Sequence, residues 1–221
     1  CENHRVAETP RIDLDGEPIH TRAQSVLVSL GPDGRLDARG SLLDLRTRGF
    51  LPVGGSMQGM GIIHHMELRW IVDPSGTVVE QWGPAQPTVA FEASVETAGE
   101  SCRDLAGRVA GLESTPLGPE LSRTLRERTG GPLGCSHLIT LALFMDAAVR
   151  AGLTRRPSSA HTSAPRPLFR RDLVFDTHER ADASIAVAVR SEMLTSTARR
   201  CSVRMVDVDP YSGLMSLKTA V

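Results

Sequence analysis

The run Ile62 to Asp73 (IIHHMELRWIVD) constrains the fold of this chain more than any other stretch. Its inward candidates and its charged residues alternate, which is the two-residue period of a half-buried strand. Pro74-Ser75-Gly76 then turns the chain into Thr77 to Trp82, so the pair reads as an antiparallel hairpin. Upstream, Val26 to Leu30 (VLVSL) is a short apolar strand that ends in the turn Gly31-Pro32-Asp33-Gly34. Arg35 to Arg46 alternates again, with Leu36, Ala38, Gly40, Leu42 and Asp44 on one face. Four strands in succession without crossover helices predict an antiparallel sheet and argue against a parallel one.

Gly49 to Gly61 is too irregular for either period and reads as a loop. Helical spacing begins at Glu96 and runs to Leu112, with Ser101 and Asp104 at capping-box spacing. Pro119 to Arg128 predicts a short charged helix, and Cys135 to Ala151 predicts an apolar one with Leu138, Leu141, Ala142, Met145 and Val149 at core spacing. After a Pro/Ser-rich stretch come strand-like runs at Leu173 to Phe175, Ser184 to Val189, Ser202 to Val208 and Leu214 to Leu217. The expected architecture is therefore α+β: an antiparallel sheet with about three helices packed on one face and a β-rich C-terminal segment. The expected divisions are an N-terminal arm (1–23), a main α+β domain carrying the site (24–151), a flexible linker (152–168) and a β-rich segment completing or extending the sheet (169–221).

Composition narrows the function. With 40% hydrophobic residues a chain of this length can bury a core. A formal net charge of −1 supplies no basic field for nucleic acid, and 4% aromatic content leaves few stacking platforms. No apolar run approaches the roughly 20 residues a membrane span needs. No signal-peptide pattern is present, and the start at Cys1 leaves room for a preceding segment. Cys1, Cys102, Cys135 and Cys201 are too few and too scattered for a disulfide scaffold, so a reducing cytoplasm is expected. The expected partner is a small-molecule substrate, with no nucleic acid and no membrane, and a homo-oligomer is left open.

The chemistry concentrates in a few residues. His64 and His65 point to opposite faces of their strand. His64 shares its face with Ile62, Met66, Leu68, Trp70 and Val72, which makes it the inward histidine; His65 lies with Glu67, Arg69 and Asp73. A buried imidazole needs partners for its nitrogens, which a backbone carbonyl, a carboxylate or a metal would supply. The stretch GPLGCSHL places Cys135 and His137 at a helix start, where a non-helical cap residue and a first-turn residue can converge. The exposed N–H groups and the helix dipole there favour a thiolate, suited to metal ligation or nucleophilic attack. A small cysteine filling space beside Gly134 is the plain alternative.

Cys102, at a second helix start, completes a Cys2His2 set with His64, Cys135 and His137, the donor types for tetrahedral zinc. Asp44 reads most simply as an acid at the end of an edge strand; otherwise it would orient a ligating histidine or act as a base. Asp44, His65 and Cys135 are the candidate catalytic groups. Ser56, Ser136 and His161 have no nucleophile-elbow context, and the glycines of 54–61 form no dinucleotide fingerprint. Met57, Met60 and Met66 read as adaptable apolar lining.

These pieces stand in an order that resembles a bacterial family catalogued as a domain of unknown function (family 2889). The resemblance rests on Gly40-Ser41-Leu42-Leu43-Asp44-Leu45-Arg46, on Ile63-His64-His65-Met66, on Cys102 and on Gly134-Cys135-Ser136-His137-Leu138, over about residues 24–150. It implies that His64, Cys102, Cys135 and His137 belong together. His65 stands where the family carries an acid, so any role of that carboxylate is altered here. The family supplies a site and no reaction.

Four functions are compatible with this reading. One is a metal-dependent hydrolase or lyase, with zinc or another divalent ion held by His64, Cys135, His137 and Cys102, and with Asp44 or His65 as proton carrier. The second is a binding module stapled by structural zinc. The third is a thioesterase-like acyl-transfer enzyme with Cys135 as nucleophile, and the fourth a binding domain without chemistry.

Overall fold

The computed structural model describes residues 14–49, 57–95, 98–99, 101–109, 111–130, 135–157, 164–195, 198–208 and 215–219; Cys1, Ser56, Gly134 and His161 lie outside them. In chain order the strands are β1 (Glu17–Leu30), β2 (Leu36–Arg46), β3 (Gly61–Val72), β4 (Val79–Thr88), β5 (Arg166–Glu179), β6 (Ile185–Thr195), β7 (Arg199–Val208) and β8 (Met215–Thr219). The helices α1 (Asp104–Val109), α2 (Pro119–Thr129) and α3 (Ser136–Leu153) all lie between β4 and β5. Among the described residues the strands form one sheet in the order β4-β3-β2-β1-β5-β6-β7-β8. Every neighbouring pair is antiparallel. The α+β expectation holds in outline, in a strand-rich form.

The helical layer is thinner than the spacing predicts. Among the described residues only α2 and α3 are helices of substantial length, rather than three; α1 has six residues. The capping contact does form, with the Ser101 N–H donating to Asp104 at 2.9 Å. Ala98 and Gly99, however, have φ of 53° and 83°, left-handed backbone that no α-helix contains, so the helix cannot reach back to Glu96.

β1 begins at Glu17, so residues 17–23, expected as part of an arm, are strand. β5 pairs with β1 along its length, from Glu17↔Glu179 to Leu30↔Arg166, and this pairing joins the C-terminal strands to the sheet. The core lies between the inward face of β1–β4 and the helices, with Val28, Leu42, Leu68, Trp70, Leu141 and Met145 fully or almost fully buried. α3 packs across β1, β2, β3 and β5. Its approach to β2 depends on Gly40, where an added Cβ would stand 2.6 Å from Met145 Sδ and 3.0 Å from Leu141 Cδ1. By length and composition α3 could cross a membrane, but half of that window is buried, as in a core helix.

One local irregularity sets up the site. Asp44 pairs with His64, yet the next residue, Leu45, pairs with Ile62, which leaves Ile63 as an extra residue in β3. Such a bulge re-aims the side chains beyond it. Ile62 therefore does not share the face of His64 as strict alternation predicts; it is 49% exposed, while Ile63 and His64 are both buried.

Candidate functional site

Strand pairing places Arg22, Asp44 and His64 in one row across β1, β2 and β3. Asp44 is therefore no edge-strand residue. It lies in the middle of three paired strands, 1% exposed, and its carboxylate is the centre of a cluster. Arg22 grips both of its oxygens, Nε to Oδ1 at 2.6 Å and one terminal nitrogen to Oδ2 at 2.9 Å. His20 Nε2 lies 3.1 Å from Oδ1, His137 Nε2 lies 3.0 Å from Oδ2, and His64 Nδ1 approaches Oδ2 at 3.2 Å. The His64 contact is close but out of line for a hydrogen bond, so Nδ1 has no aligned partner among the described residues.

α3 supplies the upper wall. Cys135 is its N-cap in extended conformation, and His137 follows in the first turn, so the two side chains converge as the cap geometry predicts. Cys135 Sγ lies 3.8 Å from His137 Nδ1, on the ring edge away from Asp44. The rings of His64 and His137 stack with centroids 4.0 Å apart and planes 30° apart. Cys102 sits in the turn before α1.

The electrostatics follow from this packing. Burial alone would raise the Asp44 pKa, but His137, His20, His64 and Arg22 outweigh it and hold the carboxyl far below the usual range. A carboxylate stabilised in that way is a weak base. Burial would push His64 down, yet the Asp44 carboxylate and Cys102 raise it above its ordinary value.

Of the four candidate ligands, His64 and His137 meet at one carboxylate and Cys135 stands beside the outer edge of His137, while Cys102 lies in the turn before α1. Among the described residues, Asp44, His64 and His137 each offer a donor atom within 4.8 Å of the others. His65 is not part of the cluster. It faces the opposite side of the sheet, 3.4 Å from Glu67, which removes it as a proton carrier for this site.

Sequence reasoning missed His20 and Arg22, which fell within the expected arm. The alternation of Val26, Val28 and Leu30 continues backward through Gln24, Arg22 and His20, all on the inward face. Those residues are polar, and an apolar pattern does not register them.

No curated protein and no solved structure matches the chain. A family model described as a protein of unknown function (DUF2889) matches residues 20–150, a span that begins on His20 and includes Arg22, Asp44, His64, Cys102, Cys135 and His137. With more than half of its length inside that match, the chain belongs to the DUF2889 family of proteins of unknown function.

Proposed function

We propose that this chain is a metal-dependent enzyme of hydrolase or lyase type acting on a small molecule, with zinc or a similar divalent ion held by His64, His137, Cys135 and Cys102. One observation carries the reading. A single buried carboxylate contacts one nitrogen of each histidine, and the other nitrogen of His137 stands 3.8 Å from the Cys135 thiol. A carboxylate on the far nitrogen of each ligating imidazole is the usual second layer of a metal site, fixing tautomer and ring direction.

The inner position, with Asp44 itself as a ligand, is less favourable. Arg22 already binds both carboxylate oxygens, and a divalent ion there would sit against a guanidinium. With three ligands and one open position the ion would lower the pKa of a bound water or polarise a carbonyl. With all four engaged it would be structural. Cys102, Cys135 and Cys201 are free thiols, the state a reducing cytoplasm maintains.

The test is elemental analysis of protein purified without chelator or affinity nickel, beside a Cys135→Ser variant. Near-stoichiometric zinc, manganese or iron that falls in the variant supports the reading. Metal absent from both sinks it.

A second reading has its own observation. Cys135 Sγ, His137 Nδ1 and His137 Nε2 run in line to Asp44, the nucleophile–base–orienter relay of a thiol acyl transferase. In that case metal-free Cys135 reacts with iodoacetamide much faster than Cys201, and added zinc gives no protection.

A further inference from the structure

The sheet is wider than its helical cover. α3 packs across β1, β2, β3 and β5, and among the described residues no helix packs comparably on β6 or β7. The register says what that uncovered face carries. Phe169 pairs with the core residue Val28, so Phe169, Arg171, Leu173 and Phe175 of β5 face the helix side. Arg171 stands opposite Met193 of β6, and Phe175 opposite Val189. Leu173, Phe175, Val189 and Met193 are all half-buried, and Phe175 pairs with Arg22, so this apolar strip begins beside the Asp44 cluster.

The two faces of the extension differ in charge. On the outer face each arginine of β5, β6 and β7 has a carboxylate: Arg170 binds Asp172 at 2.8 Å, Arg190 binds Asp176 at 2.9 Å, and Arg199 binds Glu192. On the helix side Arg171, and Arg200 and Arg204 opposite Met193 and Val189, have no carboxylate partner among the described residues. Glu179, at the far end of that face, is taken by Arg48.

Arg171 is the one held in place. Its guanidinium lies over the Phe144 ring of α3, 5.5 Å from the centroid, and its Nε is buried with no hydrogen-bond partner among the described residues. The ring offsets part of the cost of burying that charge but accepts none of its N–H donors in line. A half-buried planar fork without a counter-ion, at the end of an apolar strip, matches a carboxylate attached to a chain.

We propose that the helix-side face of β5 and β6 binds a free acyl carboxylate, its carboxylate on the Arg171 fork and its chain over Leu173, Phe175 and Val189. Four residues separate Arg171 from Phe175, about 13 Å of strand, so a chain of that length brings its far end to the Asp44 cluster. This names the substrate class for the small-molecule reading above, and rests on that reading for the reaction at the far end.

The experiment is calorimetric titration of the chain as purified, and again after metal removal, with decanoate below its micelle threshold and with decanol as the neutral counterpart. The variants are Arg171→Met, Arg171→Lys, Val189→Gln and, on the outer face, Arg170→Gln, each checked for native circular dichroism. Decanoate should bind the wild type more tightly than decanol, with or without metal. Arg171→Met should weaken decanoate about 10–100-fold, the scale of charge-assisted hydrogen bonds, and leave decanol unchanged. Arg171→Lys keeps the charge without the fork and should fall between. Val189→Gln should weaken both ligands, and Arg170→Gln neither.

Decanoate that binds no tighter than decanol, or that is insensitive to Arg171→Met, overturns the inference, as does an equal loss in Arg170→Gln. Binding to phosphatidylglycerol vesicles in place of monomeric decanoate would assign the face to a membrane surface. A dimer that Val189→Gln dissociates, in place of decanoate binding, would assign it to a second copy; either result overturns the free carboxylate. Because the titration needs no metal, a chain without zinc sinks the metal reading and leaves this site standing.

Discussion

Asp44→Asn is the substitution that most directly probes the centre of the cluster. It preserves volume, removes the charge and replaces one acceptor oxygen by an NH2 donor. Arg22 then keeps its position in a paired strand without a counter-ion, and removing one member of a buried pair costs about 3–5 kcal/mol. The Arg22 side chain is 29% exposed, so water recovers part of that, leaving roughly 2–3 kcal/mol. The asparagine carbonyl can still accept from one of the displaced donors, which returns about 1 kcal/mol. The expected net loss is about 1–2 kcal/mol, or roughly 0.5–1 M in the urea midpoint for a slope of about 2 kcal/mol/M. The slope itself should not change, because the surface exposed on unfolding is the same. Zinc content and cobalt affinity should fall with it, since both imidazoles lose the group that aims them. A midpoint within about 0.3 M of wild type, with metal affinity intact, would refute the view that one carboxylate organises this site.

Three further outcomes follow from the geometry. Gly40→Val should cost about 1–3 kcal/mol in chemical denaturation, because its side chain would enter the space of Met145 and Leu141 on a helix packed from above. Asp73 accepts the Thr77 and Val78 N–H groups at 2.7 Å in the β3–β4 turn; burial would raise its pKa, but Ser75, Val78 and Thr77 lower it overall. A depressed native pKa stabilises above the ordinary value of 3.8 and loses that benefit as pH falls below it. Asp73→Asn should therefore be less stable than wild type at pH 7, with the two melting temperatures converging under acid. His65→Ala should leave metal content unchanged and stability within about 0.5 kcal/mol, since its ring is on the far side of the sheet; a loss of metal would mean that the faces of β3 are misassigned.

Much of the site is legible because it depends on local periods. The alternation of Leu36, Ala38, Gly40 and Leu42 carries Asp44 inward, and that of Met66, Leu68 and Trp70 carries His64 inward. The cap geometry at Cys135 needs only the start of one helix. Ile62 escapes the same logic because a bulge depends on the partner strand, and nothing in β3 alone announces it. The short α1 escapes it for a similar reason: it is cut back by left-handed backbone at Ala98 and Gly99.

By itself, then, the order of residues determined which faces of the strands turn inward, that the sheet is antiparallel, and that a cysteine and a histidine meet at a helix start. These are consequences of side-chain direction along a single element. Only the tertiary structure decided that Arg22 and His20 belong to Asp44, that the C-terminal strands extend the sheet from β1, and that both imidazoles share one carboxylate. Those outcomes require contacts between segments as far apart as Asp44 and His137, or Leu30 and Arg166. Strand order and register are fixed by the burial and pairing of many residues at once, and so they appear only when the whole sheet has closed on its helices.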